Sequence, residues 1–497
     1  MLKRIVVFIF SVFLINSYIW AQDSGFGFGF NFDEEGDEPD YGEFPSFGGG
    51  TFGSLSSGNS PSVSINGDVS AAVIGYFNEM ADGASAINTR DMFMFSGKLK
   101  FHAQTSFAEA VINLKLVPAL IPVSIDEAYI GAFFGGFSIS AGLKKLAWGK
   151  ADQMGPLDII NMPDASKLFI EMADSNNLMD VKIATPIIHA SYRFGMFSKI
   201  EGVFLPSFEI TSMAVSSAFD TSNPVLAAVI GVNSLTRWMP AQMDDLSALL
   251  KNGLYIGGNP INFKFMETQT NTLDYTQAGL RFTTTIGSVD IGVQYFYGRM
   301  FQPAVKFNAP VTLGEDYMIE FIYNTYHHIG LDYAQVLFGF NVRAEFAANI
   351  TNDIKGDDGY IYNPSLGWSF GFDRDIFAGF NINFQANGNI RLMNDKVGSS
   401  NNFLNPAGFD IEAGKSVTST RLTAMFSYKF MRDELELRTA FVWGIEDSDA
   451  AIIPSFIWAR EDLRAALSGT FFLGDSGGQL GQYKDNNFLK ISIAYVF

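Results

Sequence analysis

From Ser62 to Phe497 the chain is written in short segments that alternate apolar and polar residues, divided by turn residues. Phe95, Gly97, Leu99, Phe101 and Ala103 interleave with Ser96, Lys98, Lys100, His102 and Gln104. Phe380, Ile382, Phe384 and Ala386 do so with Asn381, Asn383, Gln385 and Asn387, and Ile390 and Leu392 resume that face after Gly388. Leu422, Ala424, Phe426, Tyr428 and Phe430 oppose Arg421, Thr423, Ser427 and Lys429. Leu435, Leu437, Thr439, Phe441 and Trp443 oppose Glu434, Glu436 and Arg438, and Leu463, Ala465, Leu467 and Phe471 oppose Arg464, Ala466, Ser468 and Thr470. A period of two predicts β-strands with one apolar and one polar face.

Periodicity does not say which face is inside. A soluble sandwich turns the apolar face to its core, a membrane barrel turns it to lipid, and the pattern is the same. Extent decides between them. An open sheet this long would leave hazardous edges, and closure removes them. The expectation is therefore an all-β fold: a transmembrane antiparallel β-barrel over 61–497. Its segments number roughly 18, and the even count of bacterial barrels narrows this to about 16 or 18 strands. Asp316 to Val336 reads either as one long strand or as two short ones.

The last segment keeps its pattern to the final residue. Leu489, Ile491, Ile493, Tyr495 and Phe497 lie on one side, and Lys490, Ser492 and Ala494 on the other. This strand resembles the assembly signal of bacterial outer-membrane barrels. The resemblance implies that Tyr495 and Phe497 are read by the barrel assembly machinery, with outer-membrane lipid as the barrel's surroundings.

Connections are uneven. Tight turns are expected at Met431-Arg432-Asp433 and Gly287-Ser288, on the periplasmic side. Long connections run from Trp148 to about Asp180 and from about Pro206 to Asn271. The second holds Met243 to Gly253, whose helical apolar spacing, early acids and terminal Asn-Gly predict a short helix. Structured loops of this length are usually lids or constrictions.

Residues 1–22 read as a secretory signal, with Lys3 and Arg4 before the apolar run Ile5 to Ile15 and Ala21 near the cut. Residues 23–60 combine a Phe-Gly run, the acidic stretch Asp33 to Asp40 and a Gly/Ser-rich stretch. They predict a disordered tail. No later stretch reaches the roughly 18 uninterrupted apolar residues of a membrane helix. With no cysteine, disulfides and thiolate metal sites are excluded. An aromatic content of 15% suits a barrel with aromatic girdles. The net charge of −19 argues against nucleic acid, since phosphate contacts need a basic surface.

Trp148-Gly149-Lys150-Ala151-Asp152 is followed by Asp158-Ile159-Ile160-Asn161-Met162-Pro163-Asp164. Asp164 is placed to cap a helical turn over Ala165 to Met172. The pair of elements resembles a W-G-x-x-D, then D-I-I-N loop of uncharacterised porin-like outer-membrane barrels. Met162 sets the proline one residue later than in that pattern. Tyr326 to Glu345 also resembles a strand pair of those barrels. The resemblance covers about a tenth of the chain and implies a porin-like channel narrowed by an inward-folded loop bearing Trp148, Asp152, Asp158, Asn161 and Asp164. It implies nothing about a substrate. The same residues also suit a purely architectural brace.

Catalytic and metal chemistry is not indicated. His102, His189, His327 and His328 lack zinc-ligand spacing and a marked serine partner. Asp353, Asp357 and Asp358 lack the EF-hand spacing and read as a solvated loop. No phosphate-cradling glycine loop is present. The expectation is a non-enzyme with no cofactor and no metal.

The polar strand faces carry Lys98, Lys100, Lys115, Arg281, Arg343, Arg391, Arg421, Lys429, Arg438 and Arg464, with His102 among them, against Asp290, Glu345, Glu434 and Glu436. Cross-strand pairing would use some of these bases as braces, and the excess predicts a basic, pore-lining lumen favouring anions. The function expected is passive diffusion of small solutes through an outer-membrane channel of a diderm bacterium. Two rivals stand beside it: a barrel similar to the fatty-acid transporters, which a lateral wall gap near a broken strand would favour, and an adhesin on a sealed barrel. The sequence leaves oligomeric state open.

Overall fold

The computed structural model describes residues 62–77, 93–117, 121–152, 155–161, 178–208, 254–256, 259–261, 263–266, 270–301, 304–308, 317–400, 408–475 and 478–497. The signal and tail segments, the Met243 to Gly253 helix, Asp164 and the turn after it lie outside the described residues.

The wall is one 18-stranded sheet. Its strands are β1 (Ser62–Tyr76), β2 (Phe93–Gln104), β3 (Ala108–Val117), β4 (Ile121–Phe134), β5 (Phe137–Lys144), β6 (Thr185–Phe194), β7 (Ser198–Leu205), β8 (Gln277–Ile286) and β9 (Val289–Arg299). They continue as β10 (Thr325–Leu337), β11 (Phe340–Thr351), β12 (Ser365–Phe377), β13 (Phe380–Arg391), β14 (Thr418–Phe430), β15 (Leu435–Gly444), β16 (Asp449–Arg460), β17 (Leu463–Leu473) and β18 (Phe488–Val496). Each pairs antiparallel with its chain neighbour, and β1 pairs antiparallel with β18 from Asp68↔Val496 to Tyr76↔Phe488. The sheet is a closed barrel, so every wall strand has a partner on both edges.

Exposure fixes the inside and the outside. Phe426, Phe441 and Tyr495 are 43%, 41% and 51% exposed, whereas Met425, Ser427 and Arg438 beside them are at most 4% exposed. The apolar face therefore looks outward and the polar face inward, the reverse of a soluble core. On β13 the parity runs through Gly388 unbroken. Gly388 lies opposite Trp368, and the indole covers it closely enough to leave no room for a Cβ.

The two rims differ. One carries only short turns, among them Gly287-Ser288 at φ +68° for the glycine, and Met431, Arg432 and Asp433, all at positive φ. The other carries the long connections. Asp316 to Val336 resolves into two strands: Tyr317–Ile322 joins a small sheet with Phe263–Met266 and Ala304–Asn308, and only Thr325–Leu337 enters the wall. Loss of that first piece from the wall sets the count at 18.

One irregularity matters for the interior. The β3–β4 register shifts between Asn113 and Leu114, so that Asn113 opposes Glu127 while Leu114 opposes Ile125. The bulge leaves Asp126 and Glu127, adjacent in sequence, both on the inner side.

Candidate constriction site

Leaving β5, the chain turns inward and lies along the inner wall towards β13. Trp148 is 3% exposed and packs with Ile159, Ile160, Ile187, Val203, Leu205 and Phe296. Its indole sits against Gly279 on β8, where a Cβ would lie 3.0 Å from the ring. Leu157 and Pro156 rest in the same way on Gly330 of β10 and Gly367 of β12. Inward glycines thus give the loop a surface against which its backbone can close.

Polar contacts fix the register. Glu345 of β11 is 1% exposed and accepts the N–H groups of Lys150 (2.5 Å), Ala151 (2.7 Å) and Leu157 (3.3 Å). Gly149, at φ +106°, and Gly155 flank that carboxylate, and a Cβ at either would lie within 2.3 Å of its oxygens. Asp152 bridges Arg343 Nη1 (2.7 Å) and the Asn383 amide (2.9 Å). Burial pushes the Asp152 carboxyl up to about 6, against the pull of Arg343. Gln294 donates to the Leu157 carbonyl at 2.9 Å.

Within the loop, Asn161 accepts from the Leu146 N–H and donates towards the carbonyls of Lys144 and Ile183 and the Thr185 hydroxyl. Asp158 meets Lys182 at 2.6 Å, both buried. Burial raises the Asp158 carboxyl, and the Lys182 ammonium opposes that shift. The loop then ends in a single turn, Leu178–Val181, where Asp180 meets Lys98 of β2 at 2.9 Å. That pair is open to solvent, 43% at the lysine and 28% at the aspartate.

The loop divides the inner wall. Under and beyond it, Arg281, Gln294, Asp332, Glu345, Gln385, Asn387, Arg421 and Arg438 are buried. On β1 to β4, Ser62, Ser64 and Asn66 are exposed, and Asp68, Ser70, Lys98, Lys100, His102, Lys115, Asp126 and Glu127 are half-buried. This first arc is part of the accessible inner surface among the described strands.

Several of the inward bases expected to line a basic lumen meet acids that the strand pattern did not place on that face. Lys115 pairs with Asp126, Arg281 with Asp332, Arg343 with Asp152 and Asp373, and Arg391 with Glu412 at 3.8 Å. Arg421 donates to Gln479, Arg438 lies 3.9 Å from Glu436, and Lys429 stands opposite Glu436 in register. Arg464 lies at the short-turn end of β17 opposite Ala494, and Asp290 accepts from Thr285. Glu434 is not on a strand face; it lies in the turn before β15, 3.9 Å from Arg460. Arg281, Glu345, Arg391, Arg421 and Arg438, expected to line the pore, are buried.

The histidines are dispersed. His102 lies 3.4 Å from Glu109, His189 meets Glu201, His328 sits between Gln294 and Asn349, and His327 faces outward onto Tyr295. Asp353 accepts the N–H groups of Gly356 and Asp358, which makes it a turn brace. No group of three or more ligating side chains suited to a metal occurs among the described residues.

No family model matches the chain, and no curated protein matches it. Among solved structures it is similar to OmpT, an outer membrane protein of Vibrio cholerae, at 8% identity and TM-score 0.39 over 89% of this chain and 99% of that one. It is also similar to a mutant of the Rh. blastica porin, at 10% identity and TM-score 0.38 over 88% and 100%.

Proposed function

We propose that the protein is an outer-membrane channel of a diderm bacterium through which small solutes diffuse passively. The observation that carries this reading is the inverted wall: lipid-compatible residues outside, polar and charged residues inside, and a loop braced against one half of the interior. Solutes pass along the arc of β1 to β4, past the exposed pair Lys98 and Asp180. The wall lies in lipid, and the barrel assembly machinery recognises Tyr495 and Phe497. The protein acts without catalysis. The acids beside the inward bases offset their charge, and Asp68, Lys98, Lys100 and Asp180 together are balanced, so any anion preference is weak. Vesicles carrying the refolded protein should swell in small sugars and progressively less in larger ones. Absence of swelling with every sugar would sink the channel reading.

A second reading, carriage of apolar compounds, is favoured by one feature. The β16–β17 ladder lacks pairs between Ile452↔Phe471 and Ser455↔Ser468, where Pro454 supplies no N–H. Release of a fluorescent fatty acid from such vesicles, faster than from empty ones and with no sugar uptake, would select that reading.

A further inference from the structure

Most of the outward face is apolar, and its few cationic side chains lie near the rims. Arg374 and Arg460 stand near the short turns, and Arg299 at the long-loop end of β9. Arg299 is already engaged. Its guanidinium lies 3.9 Å from the Tyr275 ring centroid and donates to the carbonyls of Tyr323 (2.7 Å) and Asp274 (2.6 Å). His327 differs. It is exposed on the lipid side of β10, paired in register with Tyr297.

Its ring is held from one side only. Nδ1 is 2.7 Å from the Tyr295 hydroxyl, and the Tyr295 and Tyr297 rings lie 6.0 and 5.1 Å away, centroid to centroid. The second nitrogen, Nε2, has no partner among the described residues. A polar N–H facing hydrocarbon is costly unless something accepts it. His327 lies two residues inside the end of β10, roughly 5 Å below the rim at strand rise and barrel tilt. A side chain this near the strand end is within reach of the headgroup layer. Ile329 and Leu331, 48% and 46% exposed further down the same outward face, offer apolar neighbours for acyl chains.

We infer that His327, held by Tyr295, is a binding site for the phosphate of a lipid headgroup in the leaflet on the long-loop side. Nε2 donates to a phosphate oxygen, the Tyr295 hydroxyl fixes the ring, and the Tyr297 ring packs beside it. This rests on the outward face meeting lipid, and goes beyond the transport reading in naming a ligand.

The test is native mass spectrometry of the refolded full chain, titrated with phosphatidic acid or with diacylglycerol of the same acyl chains. The wild type should retain phosphatidic acid roughly fivefold better, the ratio expected of one added phosphate hydrogen bond. His327→Phe should bring the ratio near one and Tyr295→Phe should lower it partway, both with unchanged heat-modifiable migration. The preference should persist in millimolar inorganic phosphate; its loss there would assign the site to the free ion and overturn the lipid assignment. An undiminished ratio in His327→Phe would overturn the site itself. A protein that fails to enter vesicles would instead refute the membrane reading.

Discussion

Two of the contacts that hold the inward loop set a carboxylate against nitrogen at opposite extremes of burial. At Glu345 the carboxylate is enclosed and accepts three backbone N–H groups. At Asp180 the partner is Lys98, and water reaches both. A buried acceptor is costly to remove because its donors are stranded. An exposed ion pair contributes little, because water replaces either partner. The first contact therefore fixes where the loop lies, and the second shapes the passage without holding the fold.

That contrast is open to direct attack. Glu345→Ala should be the most damaging change, about 3 to 5 kcal/mol by the cost of breaking buried charged contacts. Proteinase K should then cut near Lys150 in the reconstituted barrel, and channel currents should become larger and noisier. Glu345→Gln keeps one acceptor oxygen, enough for the Lys150 and Ala151 N–H groups, but sets an NH2 against the Leu157 N–H, so it should retain only part of the protection. Asn161→Ala comes next, at about 2 to 3 kcal/mol for its lost buried hydrogen bonds, read as a lower melting transition with the wall's β signal intact. Lys98→Ala should change stability by less than about 1 kcal/mol while raising conductance. Lys98→Glu should move the reversal potential towards cations. Equal conductance in wild type and both variants would remove Lys98 from the path.

The smallest expected effect is that of pH on Asp152. In the docked loop its carboxyl titrates near 6, against 3.8 in water. The docked state thus holds an extra proton between those values, so docking tightens as pH falls through that window and is weakest above it. Protease protection at Lys150 should rise from pH 7 to pH 4.5. In Asp152→Asn that dependence should vanish.

The wall was legible in the chain because lipid and lumen impose a period of two over hundreds of residues, and Phe426, Phe441 and Tyr495 obey it. The route of the loop was not. Trp148, Asp152, Asp158 and Asn161 announce an unusual connection, but their partners Arg343, Glu345 and Lys182 lie on strands or turns that only closure brings near. Asp126 and Glu127 were missed for a local reason, since the bulge sets two consecutive residues on one face and defeats any parity rule. The missing acids are what turned an apparently basic lumen into a mixed one.

The seam between β1 and β18 has a consequence for biogenesis. Gly67 and Phe497 exchange both backbone hydrogen bonds there, at 2.8 and 2.9 Å, and the Phe497 ring lies over the Cβ-less glycine. The first wall strand to be translated must consequently wait, its free edge guarded by some other agent, until the last one arrives. A nascent chain lacking only that final stretch would be an open ribbon, prone to pair with its neighbours.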